Sequence, residues 1–236
     1  EESAILEKKK AGLEKVNLDK MYQWLSVHQN PHTGLVMSFE GDKDIANWAL
    51  IYDQALLIQV YSEFSDFERA RKILDFFAKY AKRENGWFFF AFYVNDGSPA
   101  EYVMHAGPNI WVGLAIMQYQ QKTQDKSYLG LAEHIARTII NLQNKDADGG
   151  IRGGPNVTWY STEHNLDAYA FFNMLFKITG KQAYYLAKEK TLNWLVSHTY
   201  DRRDLPVKRG KGDSTIATDT YAWSIAAIGP QKLKDL

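Results

Sequence analysis

The sequence predicts an all-α protein, an (α/α) toroid or partial toroid of about four helical hairpins with its long loops on one face. The first observation is that amphipathic and fully apolar helical segments alternate along the chain. The second is that long polar loops precede the apolar segments, whereas short connections follow them. The third is a phrase of acids, amides and aromatic residues that recurs at a spacing of about 50–57 residues, which is typical of helical-hairpin arrays. The phrases begin at Tyr52, Asn109, Thr162 and Thr218.

Apolar periodicity predicts eight helices, and their faces divide them into two concentric rings. Every second helix is apolar on nearly every side and belongs to an inner ring, while the others carry charges on one face and form an outer ring. Ser65-Asp66 is a plausible N-cap of the third helix, and Gly229-Pro230 ends the eighth. The predicted helices cover residues 3–28, 45–63, 66–82, 108–121, 127–143, 162–178, 181–198 and 214–228.

The long loops all precede inner helices, so they must lie on one face together with the N-termini of those helices. One of them, the aromatic stretch 87–92, suits an extended segment. Helix N-termini present unpaired N–H groups and positive dipole ends, which stabilise carboxylates placed there. We therefore expect a polar mouth at this end of the ring. Sugars suit such a mouth, because acids and amides bond their hydroxyls while aromatic rings stack on their apolar faces.

Composition excludes several classes of function. The 28 basic and 28 acidic residues cancel, so nothing favours nucleic-acid binding, which needs a basic face. No apolar run is long enough for a membrane span. The absence of Cys excludes disulfides, thiolate nucleophiles and thiolate-bound zinc. We expect neither a cofactor nor a metal.

Glu163 is the first candidate for a catalytic acid. It follows the aromatic residues Trp159 and Tyr160 at the predicted start of the third inner helix. The competing interpretation is a capping box, in which Ser161 or Thr162 caps the helix and the acid complements the dipole. Both interpretations stay open.

Three further acids, Asp53, Asp167 and Asp219, are interpreted as lying at matching places in three repeats. An unpaired carboxylate in a buried helix is costly, so each must reach either the cavity or a hydrogen-bonding partner. For Asp167 and Asp219 we favour a structural contact between helices. For Asp53 the functional and the structural interpretations are equally supported.

The remaining candidates lie in the loops and at the helix starts. Glu40 and Asp42, in the first long loop, are further catalytic candidates beside Asp53. The loop containing Asp146 and Asp148 resembles the start of a calcium loop but lacks the glutamate that completes one, so we favour a flexible edge of the cleft. The predicted substrate-binding residues are Trp159, Tyr160, His164, Asn165, Trp111, Asn109, His105, Trp87 and Glu101.

These phrases resemble the six-hairpin glycosidase superfamily, whose members are (α/α)-toroid enzymes acting on polysaccharides and oligosaccharides. The resemblance covers most of the chain and is carried by the stretches 33–42, 52–56, 67–74, 161–169 and 218–223. It implies acids at the inner-helix mouths, which favours Glu163 with Asp53, Glu40 or Asp42. Four hairpins are found where the full toroid has six, so the alternatives are a chain truncated at its C-terminus or an open ring.

Two functions compete. The first is a glycoside hydrolase that acts on an oligo- or polysaccharide with a carboxylate acid/base pair. The second is a non-catalytic glycan- or peptide-binding toroid module of a larger protein. A terpenoid-cyclase-type toroid is disfavoured, because the sequence lacks its acidic metal-binding motifs. We interpret residues 1–236 as one domain and favour a periplasmic or secreted protein, and the sequence leaves the oligomeric state open.

Overall fold

The computed structural model describes residues 17–200, 207–213 and 215–236, and it is predominantly helical, as predicted. Residues 1–16, which include the first part of the predicted helix 3–28, residues 201–206 of the last long loop, and residue 214 lie outside the described residues. In chain order the helices are α1 (Leu18–Val27), α2 (Ile51–Glu63), α3 (Phe67–Asp75), α4 (Ala106–Thr123), α5 (Leu129–Gln143), α6 (Thr162–Thr179), α7 (Gln182–His198), α8 (Thr218–Ile228) and α9 (Pro230–Asp235). A π-helical turn, Phe76–Tyr80, extends α3.

The helices form the two predicted layers. In the inner layer α2 packs on α4, α4 on α6, and α6 on α8. Each of the first three inner helices also packs on the outer helix that follows it, namely α3, α5 and α7. The helices α4 and α6 are buried on several sides because each contacts two inner neighbours as well as an outer helix. The described chain therefore forms a partial (α/α) toroid.

Five short strands lie in the loops at the mouth end: β1 (Trp48–Leu50), β2 (Arg83–Glu84), β3 (Trp87–Phe88), β4 (Ala91–Tyr93) and β5 (Pro99–Glu101). Antiparallel pairing gives one sheet in the order β1-β4-β5 and a separate hairpin of β2 with β3. The hairpin turns at Asn85 and Gly86, whose φ angles of 50° and 91° fit the left-handed backbone of a tight turn. The extended conformation expected for the aromatic stretch is confirmed.

The predicted helix 45–63 is wrong in its first part. Trp48–Leu50 is strand β1, and α2 begins only at Ile51. The strand pairs with β4, and Ile51 N donates to Phe90 O at 3.1 Å. An apolar run this short has the same composition whether it is a buried strand or a buried helix, so periodicity alone could not separate them.

A repeated amide contact holds the long loops onto the inner helices. Val36 N donates to Gln54 Oε1 at 3.0 Å, and Gln54 Nε2 donates back to Val36 O at 2.8 Å. Asn109 forms the same pair of bonds with the backbone of Phe88, at 2.9 and 3.1 Å. Asn165 forms it with Ile151, at 2.9 and 3.0 Å. The recurring phrase is therefore in the first place a structural device that fixes each loop.

This contact also sets the register of the repeats and corrects the predicted one. Because Gln54, Asn109 and Asn165 are equivalent, the residue before each amide is equivalent as well. Asp53 therefore matches His164, whereas Asp167 lies three residues later along its helix. The assignment of Asp53 and Asp167 to matching places is wrong.

Candidate active site

A cavity of about 370 Å³ opens at the mouth. Most of its wall comes from the start of α6 and the three residues before it, and the remainder comes from the loop before α8. Its lining residues are Trp159, Tyr160, Ser161, Glu163, His164, Arg209 and Asp213. The structure thus brings four of the predicted site residues into one cavity.

Glu163 is half-buried in this cavity and takes part in the cap of α6. Ser161 Oγ accepts the backbone N–H of His164 at 3.3 Å and donates to Glu163 Oε2 at 2.9 Å. Burial raises the pKa of the Glu163 carboxyl, the Ser161 hydrogen bond opposes this, and the nearby Asp219 carboxylate raises it again. The capping interpretation is therefore correct for Ser161. It does not exclude a proton-donating role, because the raised pKa keeps the acid protonated to a higher pH.

Asp219 lies in the first turn of α8 and is exposed. Its Oδ1 accepts the backbone N–H of Thr220 at 2.9 Å. Its other contact is with Glu163 on the neighbouring inner helix, with which it shares a hydrogen bond when one carboxyl is protonated. A structural contact between helices was expected for Asp219, and its inter-helix partner is another acid.

His164 places an imidazole against the wall of the cavity. Burial, assisted by the positive charge that His105 can carry, lowers its pKa to about 4, so the ring is neutral at pH 7. Its Nδ1 is buried and has no hydrogen-bond partner in the described part of the chain. Gly107 makes the room for this ring, because a Cβ there would lie 2.4 Å from His164 Nε2.

Trp159 forms an aromatic platform at the rim and is 46% exposed. Its ring lies over Gly153, where an added Cβ would come within 2.2–2.4 Å of three ring atoms. The rings of His105 and His164 flank it, with centroids at 5.7 and 5.5 Å. Burial lowers the pKa of His105, so this flank is predominantly uncharged at neutral pH. The exposed part of the indole is thus available to a ligand, as in sugar-binding sites that stack a ring on an aromatic face.

Tyr52, Trp111 and Asp167, on three inner helices, form a cluster near Glu163. Trp111 Nε1 donates to Asp167 Oδ2 at 3.0 Å, and the rings of Tyr52 and Trp111 pack with centroids 5.7 Å apart. Asp167 is 2% exposed, and burial raises the pKa of its carboxyl well above the ordinary range. The expected structural role of Asp167 thus has a definite partner, the indole of Trp111.

Two predicted substrate-binding residues belong to the scaffold. Besides their bonds to the loops, Asn109 Nδ2 donates to His105 O and Asn165 Nδ2 donates to Ser161 O, each at 2.9 Å. Both side chains are almost completely buried. Because both N–H groups of each amide are occupied by backbone carbonyls, neither amide has a donor left for a sugar.

Four other predicted residues lie away from the lining of the cavity. Glu40 and Asp42 are exposed, and Asp42 Oδ1 accepts the backbone N–H of Asp44. Glu101, on β5, accepts the N–H of Val103 at 3.2 Å. Trp87 lines a second cavity.

Asp53 occupies the first turn of α2. The predicted helix 45–63 places it deeper in the helix, and that position is wrong. It is half-buried, and its carboxylate has no hydrogen bond or ion pair within the described residues. Its equivalent in the repeat is His164, which lines the cavity. Asp53 therefore lies at the mouth end of α2, although it is not among the residues that line the cavity.

Arg209 lines the cavity but is not among the predicted site residues, because the basic stretch 208–211 is interpreted from the sequence mainly as a solvated loop. The backbone N–H of Thr162 donates to its carbonyl oxygen at 2.8 Å, which holds the loop before α8 against the start of α6. Gly210 permits this approach, since a Cβ there would lie 2.3 Å from Tyr160 O. The charge cluster at 208–211 is the sequence feature that could have indicated Arg209 as a site residue. The sequence alone does not show where this loop packs.

The loop 146–152 uses its acids in ion pairs. Asp146 binds Arg152 and the hydroxyl of Tyr160, while Asp148 binds Lys211 and His198. Among the described residues there is no group of three His, Asp or Glu side chains that could hold a metal ion. Nor does this part of the chain contain a helix with the length and apolarity to cross a membrane.

No family model and no curated protein matches this sequence. Solved structures do match its fold. D-mannose isomerase matches with a TM-score of 0.74 and 16% identity, over 91% of this chain and 64% of that chain. An unsaturated glucuronyl hydrolase specific for heparin matches with a TM-score of 0.68 and 16% identity, over 89% of this chain and 66% of that chain. A family 8 endoglucanase from Klebsiella pneumoniae matches with a TM-score of 0.59 and 13% identity, over 84% of this chain and 66% of that chain.

The chain thus spans just under two thirds of the length of these structures. The three structures named are a sugar isomerase and two glycoside hydrolases. The predicted resemblance is confirmed at the level of the fold: this chain has the (α/α)-toroid architecture of those enzymes.

Proposed function

We propose that the chain is a glycoside hydrolase that acts on an oligo- or polysaccharide at the mouth. The observation that carries the proposal is the interaction of the Glu163 carboxyl, which lines a cavity beside an exposed tryptophan, with the carboxyl group of Asp219. Glycosidic hydrolysis needs one carboxyl that is protonated at the working pH and one that is ionised. Burial and like-charge repulsion at Glu163 supply the first condition.

In the proposed reaction Glu163 gives its proton to the glycosidic oxygen as the bond from that oxygen to the anomeric carbon breaks. A water oxygen bonds to the anomeric carbon, and its proton passes to an ionised carboxylate. We assign this base to Asp53, because it lies at the repeat position equivalent to His164 and its carboxylate has no hydrogen bond or ion pair within the described residues. Asp219 acts as a positioning residue that keeps the proton on Glu163.

Trp159, His105 and His164 bind the sugar in this proposal. The indole of Trp159 supplies an apolar face, and the neutral imidazole of His164 can hydrogen-bond a hydroxyl without adding charge beside Glu163. Two of the matched structures are a glucuronyl hydrolase and an endoglucanase, which supports this class of reaction for the fold.

A sugar isomerase is the second candidate, because D-mannose isomerase is among the matched structures and two histidines flank Trp159. Isomerisation moves protons between neighbouring carbons and needs a base that works near neutral pH. The pKa of His164, about 4, makes its ring a weak base, which favours the hydrolase.

The test is incubation with defined oligosaccharides and monosaccharides, with the products followed by NMR. The proposal predicts new reducing ends from at least one oligosaccharide, and their loss in Asp53→Asn. Conversion of an aldose to a ketose without chain cleavage would instead establish the isomerase. Binding of an oligosaccharide without any turnover would establish the non-catalytic module.

A further inference from the structure

A second cavity of about 340 Å³ lies beside the mouth and has the chemistry of a sugar-binding site. Its polar lining includes the exposed carboxamides of Asn85, Asn141 and Asn156, none of which has a hydrogen-bond partner in the described part of the chain. The scaffold amides of Asn109 and Asn165 differ, because their donors are all taken by backbone carbonyls. Free carboxamides offer a donor and an acceptor side by side, which is what a sugar hydroxyl needs.

Packing holds the backbone that carries two of these amides, Asn85 and Asn141. Asn85 stands at the tip of the β2–β3 hairpin, and that tip packs on α5: a Cβ at Gly86 would lie 2.5 Å from Thr138 Oγ1. Asn141 follows Thr138 by one turn on the same face of α5. The backbone that carries Asn85 and Asn141 is therefore in place before a ligand arrives, which lowers the entropic cost of binding.

The lining favours an uncharged ligand. Glu84 and Lys145 carry opposite charges at its edge, so the cavity has no net charge to attract an anion or a cation. Trp87 and Met104 supply an apolar wall. Amides together with an indole and a thioether fit the alternating hydroxyl and C–H faces of a neutral sugar unit.

Only a thin wall separates this cavity from the mouth. Met104 faces the second cavity, whereas the next residue, His105, packs its ring on Trp159 at the mouth. The segment 153–154 lies against them: Ala106 N donates to Gly153 O at 2.7 Å, and a Cβ at Gly154 would lie 2.2 Å from Met104 O. Two backbone segments in direct contact thus form the wall, and one glycan can extend over it.

We propose that the second cavity binds an uncharged sugar unit of the same glycan whose reacting bond lies in the mouth. The proposal rests on the proposed function, because it takes the mouth as the place of reaction. It makes the enzyme selective for long chains, since a disaccharide cannot occupy both cavities.

The experiment measures binding by isothermal titration calorimetry to the full chain carrying Glu163→Gln, so that cleavage does not interfere. The probes are the hexasaccharides and the disaccharides of cellulose, xylan and chitin. A double variant, Asn141→Ala with Asn156→Ala, removes two of the free amides, and Asn95→Ala, at an exposed turn, is the matched control. Circular dichroism checks that each variant is folded.

We expect the Kd of the bound hexasaccharide to rise about tenfold in the double variant, which is the usual cost of two lost hydrogen bonds. The Kd of the disaccharide and the behaviour of Asn95→Ala should not change. An unchanged hexasaccharide Kd, an equal loss for the disaccharide, or no hexasaccharide bound by the parent would each overturn the proposal. Failure of the proposed function is measured separately: the Glu163→Gln protein would then still cleave the glycan.

Discussion

Glu163 and Asp219 begin two neighbouring inner helices, and their carboxyl groups are close enough to share one proton. Two like charges at this distance repel each other, so one carboxyl holds its proton to a higher pH. The cavity and the cap formed by Ser161 fix which carboxyl faces a ligand. The pair therefore gives the mouth an acid that remains protonated in a site where solvent is partly excluded.

Replacing Asp219 with Asn should move the pH dependence of activity. The pKa of Glu163 is raised first by burial and further by Asp219, and the protonated form is the active acid. Activity is therefore present below this pKa and is lost as pH rises through it. Without the charge of Asp219 the pKa of Glu163 falls, so the alkaline limit of kcat/KM should move to lower pH. The pKa of Glu163 should still lie above its ordinary value, because the part of the increase that burial causes remains.

The control is Asp213→Asn, which removes a carboxylate from the same cavity without touching Glu163. Its pH profile should keep the wild-type alkaline limit. If Asp219→Asn left that limit in place, the shared proton would have no part in the reaction.

Gly153→Ala should weaken glycan binding without any change in the residues that touch the glycan. The new Cβ would lie 2.2 Å from Trp159 Cη2, so the indole must leave its position. Since an aromatic contact contributes about 0.5–1.5 kcal/mol, the Kd for an oligosaccharide should rise roughly two- to tenfold, close to the effect of Trp159→Ala. Combining both changes should add little, whereas additive losses would separate Gly153 from the platform.

Asp167→Asn should stabilise the protein more at high pH than at low pH. Burial raises the pKa of Asp167 well above 3.8, so the folded state keeps its proton where the unfolded chain has released it. The stability that the protonated carboxyl contributes is complete below the pKa of Asp167 in the unfolded chain. It is lost as pH rises from that value toward the pKa of Asp167 in the folded protein. Asn cannot ionise and still accepts the Trp111 N–H.

The melting temperature of Asp167→Asn relative to wild type should therefore be higher at pH 8 than at pH 4.5. Each kcal/mol of difference shifts Tm by about 2–4 °C for a chain of this size. A difference in Tm that is the same at both pH values would mean that Asp167 does not change its protonation on folding.

His164 should make the protein sensitive to acid. Its pKa falls from 6.5 to about 4 on burial, so the folded state binds fewer protons than the unfolded chain between these values. Stability is then full above pH 6.5 and declines as pH falls toward 4, by roughly 3 kcal/mol at most. Urea unfolding at pH 7.5 and 4.5 should show a smaller loss for His164→Gln than for wild type. His32→Gln, on an exposed loop, should follow wild type.

The architecture was predictable because it depends on a pattern that repeats. Helices apolar on all sides, alternating with amphipathic ones, can bury their surface only in two layers, and this is what the described helices do. The strand Trp48–Leu50 was missed, because its pairing partner Ala91–Tyr93 is about forty residues away and leaves no local signal. Contacts of this range are set by the finished fold.

The same limit applies to the site. Glu163, His164 and Trp159 were predictable as neighbours since they lie within six residues at one helix start. The contacts of Glu163 with Asp219 and Arg209 depend on how the loop before α8 docks, which the sequence does not reveal. Asn109 and Asn165 were wrongly predicted to bind substrate. An amide side chain can hydrogen-bond a sugar hydroxyl or a backbone N–H and C=O equally well, so the residue type does not distinguish the two roles.

The central claim, that Glu163 is the acid of a glycosidic hydrolysis, is tested most directly by the turnover of Glu163→Gln. The glycan used is the one that wild type cleaves fastest, and Glu68→Gln, an exposed acid on the outer helix α3, is the control. We predict that kcat falls by about 10²–10⁴-fold in Glu163→Gln, the usual contribution of a general acid, and is unchanged in Glu68→Gln. Full turnover by a folded Glu163→Gln protein would contradict the assignment of the acid.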